Sequence, residues 1–215
     1  MPEIQSHSLS VQHTARYYTL GALRPETREI WFVLHGYGQL AEYFLGHFEP
    51  IASESRFFVA PEALSRFYFS RDPERIGASW MTRENREAEI RDYLAYLNEV
   101  AQQTMAGANH DVSVTVLGFS QGATTASRWV TLGGLAANRL IMWAGPMARD
   151  VDLDAYASTL DRLNLTYVVG DEDILITPAR AEEEKNRLER HRISYQHVPF
   201  KGGHNMDEAV IKELA

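Results

Sequence analysis

Short apolar, β-branched and aromatic runs recur along the chain at Glu29–Leu34, Arg56–Ala60, Val112–Gly118, Arg139–Ala144, Leu165–Gly170 and Ile193–Phe200, each closed by glycine, proline or a polar turn. Runs of this length and make-up predict strands. Several are apolar throughout instead of alternating, as in Trp31-Phe32-Val33-Leu34 and Ile141-Met142-Trp143. Strands of that kind are covered on both faces, so parallel pairing is expected. A more polar stretch around Leu9–Leu20 offers an antiparallel edge hairpin.

Helical patterns lie between the strands. From Thr82 to Met105, Ile90, Tyr93, Leu94, Leu97, Val100, Ala101 and Met105 recur at i, i+3, i+4 spacing with charges on the other side, the signature of an amphipathic helix. A second helix is predicted to open at Thr177-Pro178, a cap followed by proline at the first helical position, and to carry the charged run Ala179–His191. Strands alternating with helices imply an α/β fold with a mostly parallel sheet covered on both faces.

The chain has 215 residues and shows no repeat, low-complexity tract or linker, so one domain spanning 1–215 is expected, with little room for a large cap domain. A formal net charge of −8 without a Lys/Arg cluster argues against a nucleic-acid surface. The absence of cysteine excludes disulfides, thiolate metal sites and a Cys nucleophile. The N-terminus lacks a basic region followed by an apolar run, and no stretch is long and apolar enough to span a bilayer. These features point to a cytoplasmic protein.

The sharpest local signal is Gly118-Phe119-Ser120-Gln121-Gly122, because it falls where a buried strand must turn abruptly into a helix of small residues, Ala123-Thr124-Thr125-Ala126-Ser127. The pentapeptide alone arises by chance in several per cent of such chains. In this setting it reads as a nucleophile elbow, with glycines that let the backbone turn sharply and approach closely and Ser120 exposed at the top of the sheet. A serine hydroxyl needs a base, and the base an orienting carboxylate. After a later strand, Gly170-Asp171-Glu172-Asp173 forms an acidic turn at a strand's C-terminal end, where open α/β sheets place their sites. Past the final strand, Gly202-Gly203-His204 puts a histidine on a flexible loop, within swinging reach of the serine.

The remaining histidines, His7, His13, His47, His110 and His191, are expected on the surface, and His197 within a strand as a structural residue. No metal-ligand pattern appears. The first apolar strand ends in His35-Gly36-Tyr37-Gly38. There the backbone N–H of Tyr37, with that of Gln121, is placed to stabilise an oxyanion, while His35 buttresses the loop. Phe67, Tyr68, Phe69, Trp80, Trp143 and Met147 are the apolar candidates for pocket walls.

Together, HGYG, GFSQG, GDED followed by an apolar run, GGH, and Ala78-Ser79-Trp80 resemble the carboxylesterase, phospholipase and acyl-protein thioesterase family of the α/β-hydrolase superfamily. The resemblance spans nearly the whole chain. It implies Ser120, Asp173 and His204 as a catalytic triad, with Tyr37 and Gln121 donating to the oxyanion. Asp173 is preferred because Gly-x-x-Asp followed by apolar residues and Pro178 resembles the acid turn of these hydrolases; Asp171 is the runner-up.

Two positions depart from the family: Gln39 stands where Asp is usual, and Met81-Thr82 where an aromatic residue and Asp are common. The activity implied is cleavage of a small-molecule ester or thioester through an acyl-enzyme, with no cofactor and no metal. Acyl transfer or peptide cleavage by the same triad, or a non-catalytic binding protein on this scaffold, are the rival readings. Nothing in the pattern fixes an oligomeric state, a homodimer included.

Overall fold

A computed structural model describes residues 3–69, 74–109 and 111–215. Its main sheet has seven strands, β1 (Tyr17–Leu20), β2 (Glu29–Leu34), β3 (Arg56–Pro61), β6 (Ser113–Phe119), β7 (Arg139–Trp143), β8 (Asn164–Gly170) and β9 (Gln196–Phe200), in the order β1-β3-β2-β6-β7-β8-β9. Only β1 runs antiparallel, against β3; every other pairing is parallel. A separate two-stranded hairpin, β4 (Ser65–Tyr68) and β5 (Ile76–Ser79), stands beside the sheet.

Burial on both faces explains the uninterrupted apolar runs. In β2, Ile30, Phe32 and Leu34 enter one core, shared with α2 (Arg86–Ala106), α3 (Gln121–Thr131) and α5 (Pro178–Arg190). Trp31 and Val33 enter the other, beneath α1 (Ala41–Leu45) and α6 (Glu208–Glu213). With apolar partners on both sides, the central strands β2, β6, β7 and β8 bury nearly all their side chains, and pairing in parallel follows from the crossover helices. The remaining helix, α4 (Ala157–Leu160), is a single turn between β7 and β8. The α/β class and mostly parallel sheet expected from the pattern are observed.

Three boundaries shift for local reasons. The first stretch yields one edge strand, β1, whose partner is the distant β3 and not a local hairpin arm. α2 starts at Arg86, because Asn85 at φ 50° breaks the helical path ahead of it. The last strand starts at Gln196, since Arg192 at φ 57° and the Ile193 N–H bonded to the Leu188 carbonyl close the end of α5. Thr177 caps α5, its Oγ1 accepting from the Arg180 N–H.

The chain leaves β2 first toward β3 on one side and later toward β6 on the other. The loops after β2 and β6 therefore flank the point where strand order reverses, the crevice in which open α/β sheets bind ligands. Among the described residues, no helix is long and apolar enough to cross a membrane.

Candidate active site

Ser120 sits between β6 and α3 at φ 54°, ψ −115°, a backbone region that costs a non-glycine residue about 1–3 kcal/mol. The strain falls on the serine itself, not on its flanking glycines, which serve close packing. A Cβ on Gly118 would lie 2.1 Å from the Gly122 carbonyl oxygen, and one on Gly122 2.1 Å from that of Leu34. Of the two roles expected for these glycines, sharp turning and close approach, the close contact between α3 and the strands beneath it is the one they serve. Ser120 occupies the cap position of α3, yet its hydroxyl makes no capping bond.

That hydroxyl instead lies 2.9 Å from His204 Nε2. On the far side of the ring, His204 Nδ1 is 2.7 Å from Asp173 Oδ2. Asp173 Oδ1 accepts from the N–H groups of Leu175 and Ile176 at 2.7 and 2.8 Å. Because an ionised carboxylate only accepts, Nδ1 is assigned the ring proton, leaving Nε2 as acceptor for the serine O–H. Asp171 acts elsewhere, its Oδ1 accepting from the Gly202 N–H at 3.0 Å and so tying the acidic turn to the histidine loop. Trp143 Nε1 donates to the Asn205 carbonyl, Met206 is buried, and Asp207 caps α6, so the histidine loop is held beyond its flexible glycines.

Among the described residues, neither the Tyr37 nor the Gln121 backbone N–H has a hydrogen-bond acceptor. Gln39 shapes the first of these loops: its Oε1 accepts from the Gly36 N–H at 2.7 Å and its own N–H donates to the Gly36 carbonyl. The Gln121 side chain fastens the second. Its Oε1 accepts from the Trp80 N–H and its Nε2 donates to the Met81 carbonyl, which explains why the Ala78-Ser79-Trp80 segment accompanies the serine motif.

The profile of the family described as serine hydrolase (FSH1) matches residues 29–206, from the start of β2 through the histidine loop. The chain belongs to this family. In three dimensions this serine hydrolase is similar to acyl-protein thioesterase 2 of Zea mays, at 15% identity, covering 94% of this chain and 98% of that one with a TM-score of 0.72. A carboxylesterase of Mesorhizobium loti is similar at 21% identity over 96% and 97% of the two chains, with a TM-score of 0.69. One from Bacillus cereus is similar at 14% identity over 93% and 91%, with a TM-score of 0.68. Identities this low establish the α/β-hydrolase fold. No curated protein matches the hydrolase in sequence.

The expected pocket walls divide. Phe67 is half-buried and stacks on Tyr37 at 5.2 Å between ring centroids, while Tyr68 and Phe69 are exposed beside them. Trp80, Trp143 and Met147 are corrected to core residues, each fully buried. Both indole N–H groups are used on main-chain carbonyls, Trp80 on His35 and Trp143 on Asn205, so they brace the loops from below. Ile174 and Leu175, the apolar residues after the acidic turn, are exposed. His7, His13 and His47 are exposed as expected, and His191 is partly so, paired with Asp154. His197 is exposed on edge strand β9 and not enclosed. His110 lies outside the described residues.

His35 is buried under the oxyanion-side loop of the hydrolase, with Nδ1 on the Gly36 carbonyl and Nε2 accepting from the Ala63 N–H. Burial pushes its pKa down from the usual value near 6.5 to about 4. Between those two pH values the unfolded chain binds a proton that the folded chain refuses, so stability falls as pH drops through that window, by about 3 kcal/mol. Urea unfolding at pH 7 and pH 4 should show this loss in the native protein and a smaller one in His35→Gln. Equal losses in the two would mean that His35 is not a source of the acid lability.

Proposed function

We propose that this hydrolase, acting as one α/β-hydrolase domain, cleaves carboxylic esters, thioesters included, through an acyl-enzyme on Ser120. The observation that carries the reading is the unbroken hydrogen-bond relay from Ser120 Oγ through His204 to Asp173. As Oγ attacks the acyl carbonyl, His204 Nε2 takes its proton, and Asp173 holds Nδ1–H and stabilises the charged ring. The backbone N–H groups of Tyr37 and Gln121 receive the developing oxyanion. Collapse of the tetrahedral intermediate breaks the bond to the alkoxy or thiolate group, which leaves with the proton from Nε2. Water, deprotonated in turn by His204, then attacks the acyl carbon and releases the acid and Ser120.

Tyr37, Phe67, Ile174 and Leu175 present apolar surface on the segments around this relay, which favours an apolar acyl or alcohol group. The maize neighbour is an acyl-protein thioesterase and the Mesorhizobium loti neighbour a carboxylesterase, which span both leaving-group types.

A fluorophosphonate probe followed by peptide mapping tests the nucleophile, and nitrophenyl esters and acyl-CoA thioesters of graded length test the reaction. Modification of Ser120 and turnover of at least one series are expected. A native protein that is neither labelled nor active on any ester overturns the proposal.

A further inference from the structure

The half of the oxyanion hole that lies after β2 does not stand alone. Its Gly38 N–H donates to the Ala78 carbonyl at 2.8 Å, and the Ala78 N–H returns to the Gln39 carbonyl at 3.3 Å, so β5 pairs with this loop as though it were another strand. Directly after Ala78, Trp80 and Met81 hold the Gln121 side chain. One short segment, 78–81, therefore spans the two backbone donors.

Phe69 locks that arrangement. Its ring fills a slot that exists only because two facing residues are glycines. A Cβ on Gly38 would lie 2.0 Å from the ring's Cζ, and one on Gly77 2.5 Å from its Cε2 and 2.6 Å from the Gly38 carbonyl oxygen. Gly38 itself is at φ +77°, a conformation in which a side chain would be strained. Phe69 is fixed from behind by its N–H on the Arg75 carbonyl and by the Phe67 ring at 5.3 Å, and it meets Tyr37 edge-on at 6.4 Å. It touches Gly38, the residue next to the Tyr37 N–H.

We propose that Phe69, seated against Gly38 and Gly77, is a positioning residue that sets where the Tyr37 N–H points and so tunes oxyanion stabilisation for every substrate. This rests on the proposed role of Ser120 and the Tyr37 donor. The physical reason is that an oxyanion donor acts through a fixed distance and direction. A loop with a positive-φ glycine beside it would drift once the ring that fills the slot is removed.

The test compares native protein, Phe69→Ala, Phe69→Leu and Gly77→Ala on nitrophenyl acetate and nitrophenyl hexanoate. Affinity for a trifluoromethyl ketone, which forms a tetrahedral adduct, is read alongside. Phe69→Ala is expected to lower kcat on the order of 10- to 100-fold, somewhat less than outright loss of a donor. KM should change little, the loss should be equal on both esters, and ketone affinity should fall in proportion. Phe69→Leu keeps bulk in the slot and should lose less.

Gly77→Ala pushes on both the Phe69 ring and the Gly38 backbone, and is expected to give the same signature. It carries the test if Phe69→Ala fails to fold. A loss confined to hexanoate, or appearing only in KM, makes Phe69 a mere wall and overturns the proposal, as does unchanged kcat on acetate in these variants. Ser120→Ala in the same assay separates the two levels: if it is as active as native, the reading of the site fails; if it is inactive while the Phe69 variants are fully active, only the positioning role fails.

Discussion

Replacing Ser120 with alanine is expected to lower kcat on a nitrophenyl ester by roughly 10⁴-fold or more, with labelling by a fluorophosphonate lost. In the proposed mechanism the Ser120 oxygen forms the acyl bond, and that mechanism provides no substitute for it. The change should cost little in fold, because Ser120 Oγ makes no capping bond and its hydrogen-bond partner is His204. Alanine also tolerates φ 54° no better and little worse than serine, both bearing a Cβ. A thermal midpoint within a few degrees of native, together with the collapse of kcat, separates a chemical loss from unfolding. Retained activity would remove the acyl-enzyme mechanism altogether.

The second large effect divides two carboxylates two residues apart. Asp173→Asn is expected to lower kcat by about 10⁴-fold, whereas Asp171→Asn should lose no more than roughly 3-fold. The geometry explains the asymmetry. Oδ1 of Asp173 is claimed by the N–H groups of Leu175 and Ile176, so an asparagine must keep its oxygen there and turn its NH₂ toward His204. That NH₂ forces Nδ1 to become an acceptor, moves the ring proton to Nε2, and leaves nothing to receive the serine proton. Asp171 needs only an acceptor for the Gly202 N–H, which an amide oxygen also provides. Paired kcat measurements decide the assignment; equal and small losses would place the orienting carboxylate elsewhere.

Much of the fold was legible because its strands are buried on both faces. Uninterrupted apolar runs such as Trp31–Leu34 have few alternatives to a covered parallel strand, and their bounds shifted by a residue or so except at β9. There, apolar character at Ile193 reflected the closing contact of α5 and not strand pairing. The β4–β5 hairpin was not legible as an element. Its strands are four residues each and partly exposed, so they carry no strong period, and what stabilises them is contact with a loop far away in sequence.

The site shows the same division. Glycine-rich turns after strands mark Ser120, Asp173 and His204 as candidates in the order that an α/β-hydrolase requires, since only chain order and turn chemistry are involved. Which aromatic residues face a substrate depends on how loops pack over one another, and size and apolarity do not report that. Trp80 and Trp143 have the composition of pocket walls, but their N–H groups each found a carbonyl in the interior, where leaving such a donor unpaired is costly.

By itself, the sequence determined the α/β class, the order of the parallel strands, the sharp serine turn and the candidate residues for hydrolysis, because each follows from local periodicity and turn chemistry. Only the tertiary structure decided that Asp173 and not Asp171 meets His204, that the Gln39 and Gln121 side chains fasten the turns after β2 and β6, and that the Phe69 ring packs against Gly38 and Gly77. Those outcomes depend on hydrogen bonds and ring contacts between segments tens of residues apart, whose distances no local pattern encodes.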